Sequence, residues 1–166
     1  IATILFSDIR SFTPMAEKME PHQVVALLNE YFTEMTDLIF ENGGTLDKYL
    51  GDGILAIFGA PLARPDDAGR SVKTAIEMQR ALVRLNTDWQ ARGQPPLKVG
   101  IGINTGPVTA GNIGSTKRMD YTVIGDAVNL ASRLCAKAAG GQILVSESTY
   151  TALTKGLPAR RLEPIL

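Results

Sequence analysis

An α+β fold, a ferredoxin-like sandwich of the polymerase-palm type with a mostly antiparallel sheet and flanking helices, is what this sequence predicts. Three observations carry it: apolar runs of strand length, long stretches of helical periodicity between them, and hairpin signals that turn the chain straight back. At 166 residues, 45% hydrophobic and 20% charged, the chain has the size and composition of one domain with a sizeable core.

The elements follow in order. The opening IATILFSDI is almost continuously apolar, as in a strand buried on both faces. Ser11 and Thr13 offer a cap for a short helix. Pro21 starts a longer one, with Val24, Leu28, Tyr31, Met35 and Leu38 at three- and four-residue spacing, and Asn42-Gly43-Gly44 stops it. TLDKYL and ILAIFG are short strands joined through Gly51-Asp52-Gly53, a hairpin signal. Asp66 and Asp67 cap an amphipathic helix whose stripe includes Val72, Ala75, Gln79, Leu82, Leu85 and Trp89, and Gly93 to Pro96 is a loop. LKVGIGINTG and roughly Met119 to Ile124 are strands with a Gly-rich connection around Gly111 and Gly114. Gly125-Asp126 caps a helix to about Lys137, QILVS is a strand, and SESTYTALT a short helix. The predicted order is β α α β β α β β α β α.

Composition excludes several functions. Lys and Arg total 17 against 17 Asp and Glu, so no bulk field draws a nucleic-acid backbone or an anionic membrane. No apolar run approaches the ~20 residues of a spanning helix, and no basic leader precedes an apolar stretch. The expectation is a domain with no membrane contact of its own, cytoplasmic or on the cytoplasmic face if an anchor lies elsewhere. The single cysteine, Cys135, fits a reducing compartment. Without an initial methionine and without a closing element, residues 1–166 read as one domain cut from a longer protein.

Two carboxylates stand where the pattern calls for apolar residues. Asp8 ends the first strand, and Asp52 sits in the turn of an apolar hairpin. Buried carboxylates are costly unless hydrogen-bonded, paired or bound to metal. Two at adjacent strand ends can hold two divalent cations, and carboxylate oxygens suit Mg²⁺, which also takes phosphate oxygens. Simpler roles exist for each alone: Asp-Gly is a common hairpin turn, and Asp8 could cap the next helix.

FSDIRSFT at 6–13, KYLGDGILAIFG at 48–59 and TVIGDAVNLASRL at 122–134 together resemble the class III nucleotidyl cyclase catalytic domain, in that family's order and over essentially the whole chain. The resemblance implies that Asp8 and Asp52 hold two Mg²⁺ ions, which Mn²⁺ can replace, with the carbonyl of Ile9 as a further ligand. It places the phosphates on backbone N–H groups around Phe12 and Thr13, at a helix N-terminus suited to anions. The implied reaction converts ATP to 3′,5′-cyclic AMP and pyrophosphate.

By the same resemblance Lys48 selects the base. Guanylyl cyclases usually carry Glu there, and a lysine, donor only, favours N1 of adenine. Many adenylyl cyclases pair it with Asp at the position of Thr122, whose hydroxyl can still accept from the exocyclic amine. This departure resembles a bacterial and cyanobacterial subgroup related to bicarbonate-responsive enzymes, so bicarbonate is an implied activator. Asn129 and Arg133, four apart on one helix face, would orient the ribose and meet the α-phosphate, where a guanidinium forks onto oxygens. Family members build each site across a head-to-tail dimer, and all these parts occur in this one chain, which implies a homodimer with two composite sites. The family's triphosphate lysine would fall past Leu166, and Pro107 replaces a phosphate-contacting Arg of some relatives.

The rival readings are a guanylyl cyclase, opposed by Lys48, and a catalytically silent nucleotide-binding regulatory domain, opposed by intact Asp8, Asp52, Asn129 and Arg133. Cys135 and Trp89 read as core residues, and His22, the only histidine, has no partners for a metal site.

Overall fold

The structure, a computed structural model, describes residues 1–165. Its elements run β1 (Ala2–Ile9), α1 (Phe12–Ala16), α2 (Pro21–Glu41), β2 (Thr45–Leu50), β3 (Gly53–Phe58), α3 (Asp67–Ala91), β4 (Val99–Gly106), β5 (Thr109–Ser115), β6 (Arg118–Ile124), α4 (Asp126–Lys137), β7 (Ile143–Val145) and α5 (Glu147–Thr151). Five strands form one sheet in the order β2-β3-β1-β4-β7, and β5 and β6 form a separate two-stranded ribbon. β1 is antiparallel to both β3 and β4, whereas β7 joins β4 in parallel. The α+β sandwich with a mostly antiparallel sheet and flanking helices is therefore the observed fold.

β1 lies at the centre of the sheet, which explains its unbroken apolar run. Alternate residues serve two different layers. Leu5 and Ile9, with Ile54, Ala56 and Phe58 of β3, face α2 and α3 in the larger core. Ala2 and Ile4, with Leu55 and Ile57, meet Ala131 of α4 and Val123 of β6 in a smaller cluster on the other face. α4 rests directly on β4, where a Cβ added to Gly102 would collide with the backbone nitrogen of Cys135. Only glycine permits that approach.

Several sequence expectations need correction. β5 is a strand, not merely a Gly-rich connection, so the observed order has three strands between α3 and α4. Its residues are mostly exposed and show no apolar alternation. Pairing with β6, from Thr109 opposite Ile124 to Ser115 opposite Arg118, sustains it instead. The buried stripe of α2 is Leu27, Tyr31, Met35 and Ile39, rotated from the predicted Val24, Leu28 and Leu38, which are only partly buried. Both sets satisfy helical spacing, and only the position of the sheet decides between them.

The caps also differ. Ser11 occupies the N-cap of α1 with φ 55° and makes no side-chain cap bond, so neither Ser11 nor Thr13 caps that helix as expected. α2 starts at Pro21 as predicted, with Glu20 and Gln23 forming a reciprocal capping box. At α3, Asp66 makes no cap bond. Asp67 instead accepts from the Arg64 backbone N–H at 2.7 Å and pairs with Arg70. Of the α3 stripe, Val72, Ala75, Leu82 and Trp89 are buried, while Gln79 donates to the Val99 carbonyl at 2.9 Å. Trp89 packs as expected, its indole N–H donating to Glu30. Among the described residues, no helix is long and apolar enough to cross a membrane.

Candidate active site

Asp8 belongs to the same alternation as Ala2, Ile4 and Phe6, so its carboxylate emerges on the thinly covered face, beside α4, rather than under α2 and α3. Ser7 pairs with Ile54 of β3, which brings the turn containing Asp52 alongside the end of β1. Gly53 keeps the two close. A Cβ there would stand 3.5 Å from Asp8 Oδ1 and 3.0 Å from the Ser7 carbonyl oxygen. Partial burial raises the pKa of Asp8 from its ordinary 3.8, and the Asp52 charge raises it further, against the lowering effect of Arg10. A cation beside Asp8 would relieve that cost. No group of three or more His, Cys, Asp or Glu that could hold a metal occurs among the described residues. A divalent ion here would draw its remaining ligands from backbone, water or substrate oxygens, a hard donor set that fits Mg²⁺.

Arg10, two residues on and therefore on the same face, was not singled out from the sequence. Its Nη2 donates to the Cys135 carbonyl at 2.5 Å and its backbone N–H to the Lys98 carbonyl at 2.7 Å. The guanidinium thus ties the C-terminal turn of α4 to the end of β1, where a helix favours a cation. A Cβ at Gly100 would lie 2.5 Å from Nη2, so Gly100 makes room for it. Burial pushes the Cys135 thiol up to about 11, and the residue is packed, as expected of a core position.

Lys48 owes its position to a β-bulge. β2 pairs Leu46 with Ala56 and then Lys48 with Leu55, leaving Asp47 as the extra residue. Unbroken alternation would have set Lys48 opposite Ile54, under the helices. The bulge returns it to the face of Leu55, and Tyr49 resumes the helix side, stacking on Phe32 with ring centroids 4.4 Å apart. Asp47 and Lys48 consequently share the open face. Thr122 of β6 comes to them from the ribbon, and its hydroxyl donates to Asp47 Oδ2 at 2.5 Å. Asp47 was missed in the sequence. Its signal was a charged pair, Asp47-Lys48, inside a strand, which regular alternation would have split between core and solvent.

Asn129 and Arg133 stand exposed on α4, one turn apart as predicted. Arg133 enters no ion pair among the described residues. Leu130 on the same helix is an exposed apolar side chain, and the ribbon exposes Ile113, Met119, Tyr121 and Ile124. Phe12 and Thr13 open α1, which follows β1 after a two-residue turn, with the first-turn N–H groups of α1 uncapped by any side chain. The structure thus brings together Asp8 and Asp52, and separately Lys48 and Thr122 about Asp47; Asn129 and Arg133 stand apart from both on α4. The lysine that the family would place past Leu166 lies outside the described residues.

Comparison with known proteins gives three results. The family described as adenylate and guanylate cyclase catalytic domain matches residues 1–164. An adenylate cyclase of Anabaena cylindrica is 44% identical over 160 residues, 92% of this chain and 30% of that protein, so the chain spans about a third of this relative's length. Among solved structures, the guanylyl cyclase Cya2 is 46% identical with a TM-score of 0.93, covering 98% of this chain and 84% of that one. The adenylyl cyclase CyaB of P. aeruginosa is 43% identical with a TM-score of 0.88, covering 91% and 79%.

Proposed function

We propose, from the premise that this chain belongs to the adenylate and guanylate cyclase catalytic-domain family, that it is the cyclase domain, residues 1–166, of a longer protein and converts ATP to 3′,5′-cyclic AMP and pyrophosphate. The observation that carries this reading is the convergence of Asp8 and Asp52 at one corner of the sheet, with burial and mutual repulsion raising the Asp8 pKa. Paired carboxylates at such a corner suit a site that takes a metal-bound triphosphate, and Lys48, a donor only, favours adenine over guanine.

In this reading Asp8, Asp52 and the Ile9 carbonyl hold divalent cations, Mg²⁺ or Mn²⁺. When bound, these supply Lewis-acid charge to the ribose 3′ oxygen and the phosphates. The protein's own groups do the rest. First-turn N–H groups of α1 at Phe12 and Thr13 take phosphate oxygens. Arg133 stabilises charge accumulating at the α-phosphorus, and its side chain is free to reach out because no carboxylate among the described residues of its own chain engages it. Asn129 orients the ribose. Lys48 donates to N1 of adenine, and Thr122 accepts from the exocyclic amine.

The two halves are read as meeting across a head-to-tail homodimer. Lys48 lies level with Phe6, through Leu55, and two strands away from β1, roughly 12 Å from Asp8 by strand spacing and rise. Exposed Leu130 on the same helix as Asn129 and Arg133, with Tyr121 and Ile124 exposed on the ribbon, supplies apolar surface of the kind such an interface uses.

The experiment is to incubate the domain with ATP or GTP and Mg²⁺ or Mn²⁺, with and without bicarbonate, and identify the products. Cyclic AMP from ATP, in excess of cyclic GMP from GTP, is expected. Neither product forming under any metal would leave the silent-domain reading, and cyclic GMP in excess would leave the guanylyl cyclase reading.

A further inference from the structure

Asp47 has no role in the reading above, yet its side chain is fully buried at the point where the ribbon meets the main sheet. Oδ2 accepts the Thr122 hydroxyl at 2.5 Å. Oδ1 has no hydrogen-bond partner, with the Lys48 ammonium 3.7 Å away. A buried carboxylate oxygen with a nearby cation but no hydrogen bond is a cost, and a bulge is an irregularity. Here both occur at one residue, between the two side chains proposed above to meet the base.

The chemistry of the hydroxyl gives that arrangement a purpose. A threonine hydroxyl has one proton and two lone pairs, and a carboxylate only accepts. Once its proton is committed to Asp47, Thr122 can offer a ligand acceptance alone. Lys48 offers donation alone. Donor beside acceptor complements adenine, whose N1 accepts and whose exocyclic amine donates. It opposes guanine, whose N1–H donates and whose O6 accepts. A free Thr122 hydroxyl, by contrast, could rotate and donate to O6.

We propose that Asp47 is a positioning residue for base selection, locking the Thr122 hydroxyl as an acceptor so that the Lys48–Thr122 pair matches adenine and rejects guanine. This rests on the reading that Lys48 and Thr122 meet the base. The bulge is then the device that sets Asp47 and Lys48 side by side on the same face, and the buried contact to β6 sets the hydroxyl between them.

The test compares kcat/KM for ATP and GTP in wild type, Asp47→Ala, Thr122→Val and the double variant, with folding checked by thermal unfolding. ATP- and GTP-induced shifts of the unfolding midpoint serve as an independent readout of binding. Asp47→Ala should lower the ATP:GTP ratio on the order of tenfold, through KM more than kcat, the scale of one hydrogen bond gained or lost. Thr122→Val should lower it comparably, and once Thr122→Val is in place, adding Asp47→Ala should move the ratio no further. Equal losses for both nucleotides in Asp47→Ala, with Thr122→Val still altering the ratio, would leave base reading intact and reduce Asp47 to a tether for the ribbon. No change of ratio in Thr122→Val would remove the base-reading role of Thr122 and this proposal with it. If Asp47→Ala fails to fold, Asp47→Asn preserves the volume while its amide can present either end to Thr122. A smaller fall in the ratio is expected, and an unchanged ratio overturns the proposal.

Discussion

The two faces of the central sheet are built on opposite terms. The face under α2 and α3 is closed and apolar, packed by Leu27, Tyr31, Met35, Ile39, Met78 and Trp89, all essentially without exposure. The face under α4 and the ribbon is thinly covered. It carries the half-buried Asp8, the buried Asp47–Thr122 contact and the Arg10 guanidinium on the last turn of α4. Both faces take alternate residues of the same strands, so β1 contributes Leu5 to one and Asp8 to the other. A fold can therefore place destabilising groups close in sequence to its core, provided the opposite face supplies the burial. Stability should reside on the helix-backed side and chemistry on the other, and variants on each side should separate the two.

The largest effect belongs to the open face. Asp8→Asn or Asp52→Asn should reduce cyclase turnover by about a thousandfold or more, the scale of several kcal/mol of charge stabilisation, while circular dichroism and dimerisation stay unchanged. Turnover near wild type at saturating Mg²⁺ in either variant would refute the two-carboxylate role.

Next comes the helix-backed face, with the opposite signature. Leu27→Ala, at a position with no exposure, should cost about 2–5 kcal/mol in denaturant unfolding, yet the fraction that remains folded should keep wild-type KM. A changed KM with little loss of stability would show that the two faces are not separable.

A smaller effect tests whether the open face is completed by a second copy. Asp8→Ala and Arg133→Ala homodimers should each be inactive. After subunit exchange about half the dimers are mixed and half their sites intact, giving about a quarter of wild-type activity if sites act independently. Mixing demonstrated without recovery would place each site within one chain.

The smallest effect is a pH dependence. Because Asp8 has a raised pKa, its native carboxyl holds a proton through a window in which the unfolded one has lost it. In metal-free buffer that contribution to stability is complete below about pH 3.8 and is lost as pH rises through the native pKa. Measured by urea unfolding with chelator present, Asp8→Asn should lack that decline and match or exceed wild type at pH 7. A wild-type advantage that grows with pH would contradict the sign.

What the sequence determined by itself were the features written in local patterns. Uninterrupted apolar runs marked the buried strands, a glycine-flanked turn marked the hairpin at Asp52, 3.6-residue periodicity marked α2 and α3, and a Gly-Asp cap marked the start of α4. The carboxylates at Asp8 and Asp52 stood out because their charge contradicted those patterns, and the three long segments carried the family resemblance. Tertiary structure alone decided the rest. It chose which of two adjacent stripes α2 buries, since a helix is apolar over an arc wide enough to dock at more than one angle. It made β5 a strand, since the residues of that segment are sustained by ladder hydrogen bonds to a partner rather than by burial. It also inserted the bulge at Asp47. Register is a relation between two strands, and no periodicity within one of them can encode which residue its neighbour will leave unpaired.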